Sequence, residues 1–405
     1  MSRLAIVAGI AVAVVALTGC HRTVVTDPWG GAVAPDVLAK MGLEYYWRST
    51  PMPIDRNGGE KLSQLWRLDE NVYALSSQNR LIAVDAVTGR LKWYYTVAGP
   101  SIQVFSPCHA NGVVVDVEAG QQVLSGAIRD PKVKMVDAVV INTLSTAVVI
   151  DRTTGKLVRK LDLPFAANSP GASDGDFLYV GSVKGWYHAV RLCDGLVQWT
   201  RSTDDMISAA PVWRTGRLAV ASQDGRLYMI QPGVTTQKRL WTQPTDGPLN
   251  AGFVVDDRGC FVPSQDYKLY AFDLVTGEEL WTPFRTQGPL RRAVQVGQRS
   301  AFQYAEGDRF YAIDIGNGRK RWEMPDGEMV LGASGQHVFV LNSKHRLLKV
   351  HESLGRTEVA VPLVGFDLFV PNAASDAIYA GTEDGRLACL RPPGAGKLTV
   401  DTLTK

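Results

Sequence analysis

One element recurs along this chain at intervals near 40 residues, and nothing else in the sequence constrains the fold as much. Asp85-Ala-Val-Thr-Gly89-Arg-Leu-Lys-Trp93 returns as Asp273-Leu-Val-Thr-Gly277-Glu-Glu-Leu-Trp281 and as Asp314-Ile-Gly-Asn-Gly318-Arg-Lys-Arg-Trp322. Arg191-Leu-Cys-Asp-Gly195-Leu-Val-Gln-Trp199 and Thr235-Thr-Gln-Lys-Arg-Leu-Trp241 are looser copies. Two more, ending at Arg159 and Val359, keep the turn and lose the tryptophan. Counted at the tryptophan position, the copies stand at 93, 159, 199, 241, 281, 322 and 359. A period of about 40–45 residues with several short strands per unit is the signature of a β-propeller.

Each unit has the same internal order. Ala210-Pro-Val-Trp213, Arg217-Leu-Ala-Val-Ala-Ser222, Gly225-Arg-Leu-Tyr-Met-Ile230 and Arg239-Leu-Trp241 read as four short strands. The third strand returns as Arg80-Leu-Ile-Ala-Val-Asp85, Lys268-Leu-Tyr-Ala-Phe-Asp273 and Arg309-Phe-Tyr-Ala-Ile-Asp314. These runs are almost continuously apolar, the pattern of a strand covered on both faces, as when one blade is sandwiched between two neighbours. Asp-x-x-Thr-Gly suits the hairpin between the third and fourth strands. Its Asp and Thr can bond local backbone N–H groups, and its Gly accepts positive φ. The tryptophan on the outer strand can bury about 150–250 Å² against the next blade while its N–H finds an acceptor.

Counting predicts an all-β, eight-bladed propeller of four antiparallel strands per blade, occupying residues 43–405 as a single domain. Seven units end at the positions above. An eighth contains Phe366-Asp-Leu-Phe-Val370, Ala377-Ile-Tyr-Ala380 and Arg386-Leu-Ala-Cys-Leu390, but lacks a marked fourth strand. Leu43-Glu-Tyr-Tyr-Trp47 is the displaced candidate for it. Closing the ring this way removes exposed sheet edges. Seven blades is the alternative, because the second unit is irregular. It carries about 25 surplus residues, assigned to 118–142 and expected between its second and third strands. Extra loop on a rigid scaffold is a place for recognition.

The first 20 residues read as an address. Arg3 precedes an apolar run from Leu4 to Leu17, and Leu17-Thr18-Gly19-Cys20 follows. The run has the length of a signal-peptide core and is short for a membrane span. Small residues before a cysteine resemble a bacterial lipobox, which implies cleavage before Cys20 and lipid on its sulfur. His21 instead of Asp after the cysteine favours the outer membrane by the same resemblance. Residues 21–42 are expected to be a tether, broken by Pro28, Gly30, Gly31 and Pro35.

Composition excludes several classes. Lys and Arg total 43 against 40 Asp and Glu, which is too balanced for a dedicated nucleic-acid binder. Five cysteines in 405 residues exclude a disulfide scaffold. Cys108, Cys193, Cys260 and Cys389 have no metal-ligand spacing. His337, His345 and His351 are close in sequence but belong to different strands, so a metal site is not expected from them. No His-Glu-x-x-His or phosphate loop occurs.

The period, the Asp-x-x-Thr-Gly-x-x-x-Trp element and the third-strand pattern resemble the PQQ-like propeller repeat over roughly residues 43–391. With a lipobox, a short linker and no second domain, the chain resembles the BamB family of outer-membrane assembly lipoproteins. That resemblance implies a scaffold at the periplasmic face of the outer membrane that docks the POTRA domains of a BamA-like insertase. It implies no catalytic residue, no cofactor and no metal. Family members carry Leu-Arg-Gly shortly before Ser-Ala-Pro. Here Asp204-Asp-Met-Ile-Ser208-Ala-Ala-Pro211 keeps the Ser and Pro, and Met206-Ile207 replaces the rest. The nearest Leu-Arg is Leu290-Arg291-Arg292. The expected partner surface is therefore Met206, Ile207, Leu249, Leu290, Arg291 and Arg292. Two other classes stay open: a small-molecule or glycan binder using the central funnel, and a PQQ-dependent dehydrogenase. The latter resemblance requires a vicinal Cys-Cys pair, which this chain lacks.

Overall fold

The computed structural model describes residues 29, 33–51, 59–116, 134–233 and 237–403. They form eight four-stranded antiparallel sheets. The first comprises Leu62–Leu68, Asn71–Ser76, Arg80–Asp85 and Leu91–Thr96; the fourth comprises Val212–Arg214, Arg217–Ala221, Arg226–Pro232 and Gln237–Pro244. First strands of neighbouring blades touch one another, so the sheets stand around an axis with their first strands innermost. Second and third strands are the buried layer. All six residues of Asn71–Ser76 and all five of Gly259–Pro263 are buried, as expected for sheets covered on both faces.

The eighth blade closes as expected. Its strands Leu368–Phe369, Ile378–Gly381 and Leu387–Arg391 come from the C-terminal part of the chain, and Glu44–Ser49 completes it. The register runs antiparallel from Glu44 opposite Arg391 to Ser49 opposite Leu387. A strand from one terminus thus pairs with one from the other, so separating the blades first requires breaking this ladder.

The repeated motif is a joint between blades. The Asp85 carboxylate accepts from Val87 N at 3.1 Å and Thr88 N at 2.8 Å, closing the hairpin. Gly89 then turns at φ +72°, and a Cβ there would lie 2.6 Å from Trp47 of the preceding blade. The Trp47 indole therefore lies flat on the glycine. Its Nε1 donates to Ala86 O in the same hairpin at 3.0 Å. Trp93 does the same to Arg152 O at 2.8 Å, Trp199 to Gly233 O at 3.2 Å and Trp241 to Leu274 O at 3.3 Å. Trp281 donates to Ile315 O at 3.1 Å and Trp322 to Glu352 O at 2.6 Å. Six of the eight joints carry this contact. The other two follow blades two and seven, whose tryptophan positions hold Arg159 and Val359.

Two expectations need correction. The surplus in the second blade falls between its first strand, Cys108–Asp116, and its second, Lys134–Asn142, instead of between the second and third. Residues 134–142 of the expected insertion are that second strand; residues 117–133 lie outside the described residues. The alternating Lys134-Met-Val-Asp start looked like loop because only its C-terminal half, Ala138–Asn142, is buried. The expected tether is likewise partly ordered. Pro35 opens helix α1, Pro35–Met41, because its fixed φ and missing N–H suit the first turn. Gly42 ends it at φ 69°, with its N–H donating back to the Ala39 carbonyl. Trp29, Val33, Leu38, Met41 and Leu43 pack with Leu331, Phe339, Val361, Phe366 and Leu390 in one core at the joint between blades seven and eight. A helix therefore fills one of the two joints that lack a tryptophan. Cys20 and the signal segment lie outside the described residues.

Candidate functional site

The loops that carry the chain from one blade to the next repeat a single construction at blades four, five and six. Thr203, Thr245 and Thr286 each donate their backbone N–H to the preceding blade, at Gly185 O, Gly225 O and Tyr267 O. Their hydroxyls donate to those same carbonyls at 2.7, 2.8 and 3.0 Å. Four residues later Ile207, Leu249 and Leu290 donate N–H to Ser182 O, Ser222 O and Ser264 O. All three side chains are completely buried between blades. These loops are thus pinned at both ends by bonds to the preceding blade, and what they expose is held rigidly.

This geometry divides the expected partner surface. Met206, Arg291 and Arg292 are on it: Met206 is 38% exposed, and the arginine side chains are about half exposed. Arg291 donates to Glu306 at 2.8 Å and Gln265 at 3.3 Å. The Arg292 guanidinium lies 4.2 Å from the Tyr304 ring centroid. Ile207, Leu249 and Leu290 are corrected: they are core wedges, each in the hydrophobic cluster of its own joint. An apolar residue at an inter-blade turn can face outward or into the joint. The choice depends on the neighbouring blade, which local sequence does not show.

Sequence reading missed a polar network beneath the same loops. Asp204 pairs with Arg226, and Asp246 with Lys268, one blade on. Within each turn Tyr228 donates to Asp224 at 2.6 Å, and Tyr270 to Asp266. Burial, and then the bond to a carboxylate, pushes both phenols up to about 12. The signal was present as Asp224-Gly-Arg-Leu-Tyr228 and Asp266-Tyr-Lys-Leu-Tyr270, the same types at the same spacing one repeat apart.

Catalytic or metal chemistry finds little support in the described residues. One cluster there has metal-like composition: Asp69, Glu70 and His109. Arg152 occupies it, with Nε 3.2 Å from Glu70 and Nη1 3.1 Å from His109 Nδ1. The other His109 nitrogen bonds Tyr73 Oη at 2.9 Å. A guanidinium inside the carboxylates already supplies the charge a cation would bring. Cys108, Cys193, Cys260 and Cys389 are free. Burial pushes the Cys108 and Cys260 thiols up to about 12, away from nucleophilic use.

Comparison with known proteins agrees with the fold. The chain aligns along 87% of its length with the crystal structure of BamB from Moraxella catarrhalis, at 16% identity and a TM-score of 0.62, and covers 99% of that chain. It aligns along 82% with the computationally designed Ika8 protein, at 13% identity and a TM-score of 0.59, and covers 96% of that chain. At these identities the likeness is one of fold. The chain matches no curated protein sequence. The model of the family described as outer membrane protein assembly factor BamB matches residues 47–134, 145–233 and 232–398, nearly the whole propeller. The chain therefore belongs to the BamB family.

Proposed function

We propose that this protein is a non-enzymatic scaffold, lipid-anchored through Cys20 at the periplasmic face of the outer membrane, that supports β-barrel protein assembly by docking the POTRA domains of a BamA-like insertase. Family membership supports the setting. Among the described residues no helix is long and apolar enough to cross a membrane. One observation carries the docking role. Three successive inter-blade loops are held by the same threonine and buried-aliphatic pins, and the first and third carry the exposed Met206, Arg291 and Arg292. Arginine and large apolar groups held rigidly are favoured anchors for a protein partner.

The test follows from the corrected surface. Met206→Asp combined with Arg291→Glu alters exposed groups only, and is expected to abolish co-purification with the insertase while leaving the melting temperature within a degree or two of the parent (about 0.5 kcal/mol). Ile207→Asp and Leu290→Asp would bury an unpaired charge and unfold the joint, so they cannot test docking. Undiminished co-purification of the Met206/Arg291 variant would refute this surface.

A further inference from the structure

The inter-blade construction at blades four and five has a counterpart at blade three with its chemistry replaced. The positions are equivalent by hydrogen bonding. Leu163 N donates to Ser145 O as Thr203 N does to Gly185 O and Thr245 N to Gly225 O. Ser182 N donates to Trp186 O as Ser222 N does to Arg226 O and Ser264 N to Lys268 O. His188 faces Thr200 across the sheet as Tyr228 faces Thr242. Pro164 and Trp186 therefore stand where the other joints have the ion pairs Asp204–Arg226 and Asp246–Lys268. His188 and Lys184 stand where they have the phenol–carboxylate pairs Tyr228–Asp224 and Tyr270–Asp266.

The replacement opens a pocket. A cavity of about 340 Å³ is lined by Pro164, Phe165, Val183, Lys184, Trp186 and His188, with Val197 and Thr200 among its other walls. Phe165 and His188 stack at 3.6 Å with their planes 7° apart, forming a flat wall. Trp186 is 47% exposed, and Val183 and nearby Leu144 are each 42% exposed. The Leu144 carbonyl accepts from Ala167 N at 2.7 Å, next to the cavity-lining Ala166. His188 is 96% buried by its 4% residual exposure. Its Nδ1 bonds Thr200 Oγ1 at 2.9 Å, and its Nε2 has no partner. Burial lowers its pKa to about 4, so the ring is neutral at neutral pH. Lys184 is exposed and has no carboxylate partner among the described residues.

We propose that this pocket at blade three docks a partner polypeptide segment carrying an aromatic side chain beside a carboxylate. The occupant supplies what the joint lacks relative to its neighbours: a ring and an acid. Trp186 already leans on the stack, its ring centroid 6.4 Å from that of His188 at 48°, so the ring packs on the exposed part of the indole at the cavity wall, since aromatic groups dominate contacts of this kind. The acid answers Lys184, which reverses the charge of Asp224 and Asp266 at the same position. The unpartnered His188 nitrogen is a buried polar group awaiting a hydrogen bond, and an orphan of that kind is otherwise costly. Val183 and Trp186 are exposed apolar walls of the cavity, surface that a docked chain would cover.

The probes are dye-labelled peptides Gly-Ser-Asp-Phe-Asp-Ser-Gly, its Phe→Ala form and its Asp→Lys form, titrated into the full chain by fluorescence anisotropy. The Asp-Phe-Asp peptide should bind saturably, its alanine form at least about tenfold more weakly, the value of one buried aromatic ring, and its lysine form at least about threefold more weakly, the value of an exposed charge contact at Lys184. Trp186→Ala and, separately, Val183→Asp should each weaken binding by about tenfold with the far-UV circular dichroism melt unchanged. Lys184→Glu should transfer preference to the Lys-Phe-Lys peptide. Met206→Asp with Arg291→Glu should bind the peptide as the parent does, which separates this site from the insertase surface. Absence of saturable binding, equal binding of the alanine peptide, or competition by maltose in place of peptide would each overturn the proposal.

Discussion

Trp47 and Gly89 offer a direct measurement of how the ring is held. Trp47 is on the N-terminal strand of the eighth blade and Gly89 in the hairpin of the first, so the pair spans the seam of the ring. Trp47 is 9% exposed, its Nε1 donates to Ala86 O at 3.0 Å, and its ring centroid is 6.1 Å from that of Tyr379. Trp47→Ala should cost about 3–5 kcal/mol, the range for deleting a large buried aromatic. Trp47→Phe keeps most of the contact and removes one donor. Ala86 O retains the Tyr379 hydroxyl at 3.2 Å, so that change should cost only about 0.5–1.5 kcal/mol from the bond, plus a modest packing loss. Gly89→Ala meets two penalties. At φ +72° a side chain costs about 1–2 kcal/mol, and the new Cβ would lie 2.6 Å from the indole, adding about 1–3 kcal/mol of overpacking. Only the second penalty depends on Trp47. In a Trp47→Ala background, Gly89→Ala should therefore cost about 1–2 kcal/mol, and the cycle should show coupling of about 1–3 kcal/mol. Equilibrium urea unfolding followed by far-UV circular dichroism measures all four proteins. Additivity within about 0.5 kcal/mol would show that the indole does not rest on the glycine, and the account of the joints would fail.

Two further outcomes follow from the same physics. Leu38→Ala in helix α1 removes a completely buried side chain from the joint of blades seven and eight and should cost about 2–5 kcal/mol. Amide exchange should then accelerate in Thr357–Pro362 and Glu44–Ser49 before the blades opposite; uniform acceleration would contradict a local role for the helix. Asp273 accepts from Val275 N at 2.8 Å and Thr276 N at 2.7 Å, and those two backbone bonds hold its carboxyl below the ordinary carboxylate range. A depressed folded pKa means that the contribution is present above about pH 4 and is lost as pH falls through the folded value. The urea midpoint should therefore drop less between pH 5 and pH 2.5 (about the span of carboxylate titration) in Asp273→Asn than in the parent. Parallel curves for the two proteins would count against the hairpin assignment.

The architecture was legible because its determinants are local and repeated. Glycine at a left-handed turn, an Asp two or three residues before the N–H groups it caps, and an indole at fixed distance from both are short-range facts, and seven copies reveal the period in spite of the long second unit. The displaced eighth-blade strand could be inferred for the same reason, since Trp47 carried its signature. Exposure at the expected partner surface was only half legible. Met206, Arg291 and Arg292 are exposed as expected, yet Ile207, Leu249 and Leu290, one residue away from Met206 and Arg291 in two cases, are wedges in the joints. Side-chain direction at those loops is set by bonds to the preceding blade, some 25 residues back (Ile207 to Ser182, Leu290 to Ser264).

By itself, the order of residues determined the propeller architecture, the strand sequence in most blades and the hairpin and tryptophan that join them, because each depends on neighbours within a single repeat; the eight sheets of the structure settled the choice between seven blades and eight. Tertiary structure alone decided that α1 caps a joint lacking its indole, that Arg152 fills the cluster of Asp69, Glu70 and His109, and that Pro164, Trp186, Lys184 and His188 make a pocket where other joints make ion pairs. These features arise between repeats, where residues far apart in the chain meet and burial, charge and space are settled by what the neighbouring blade brings.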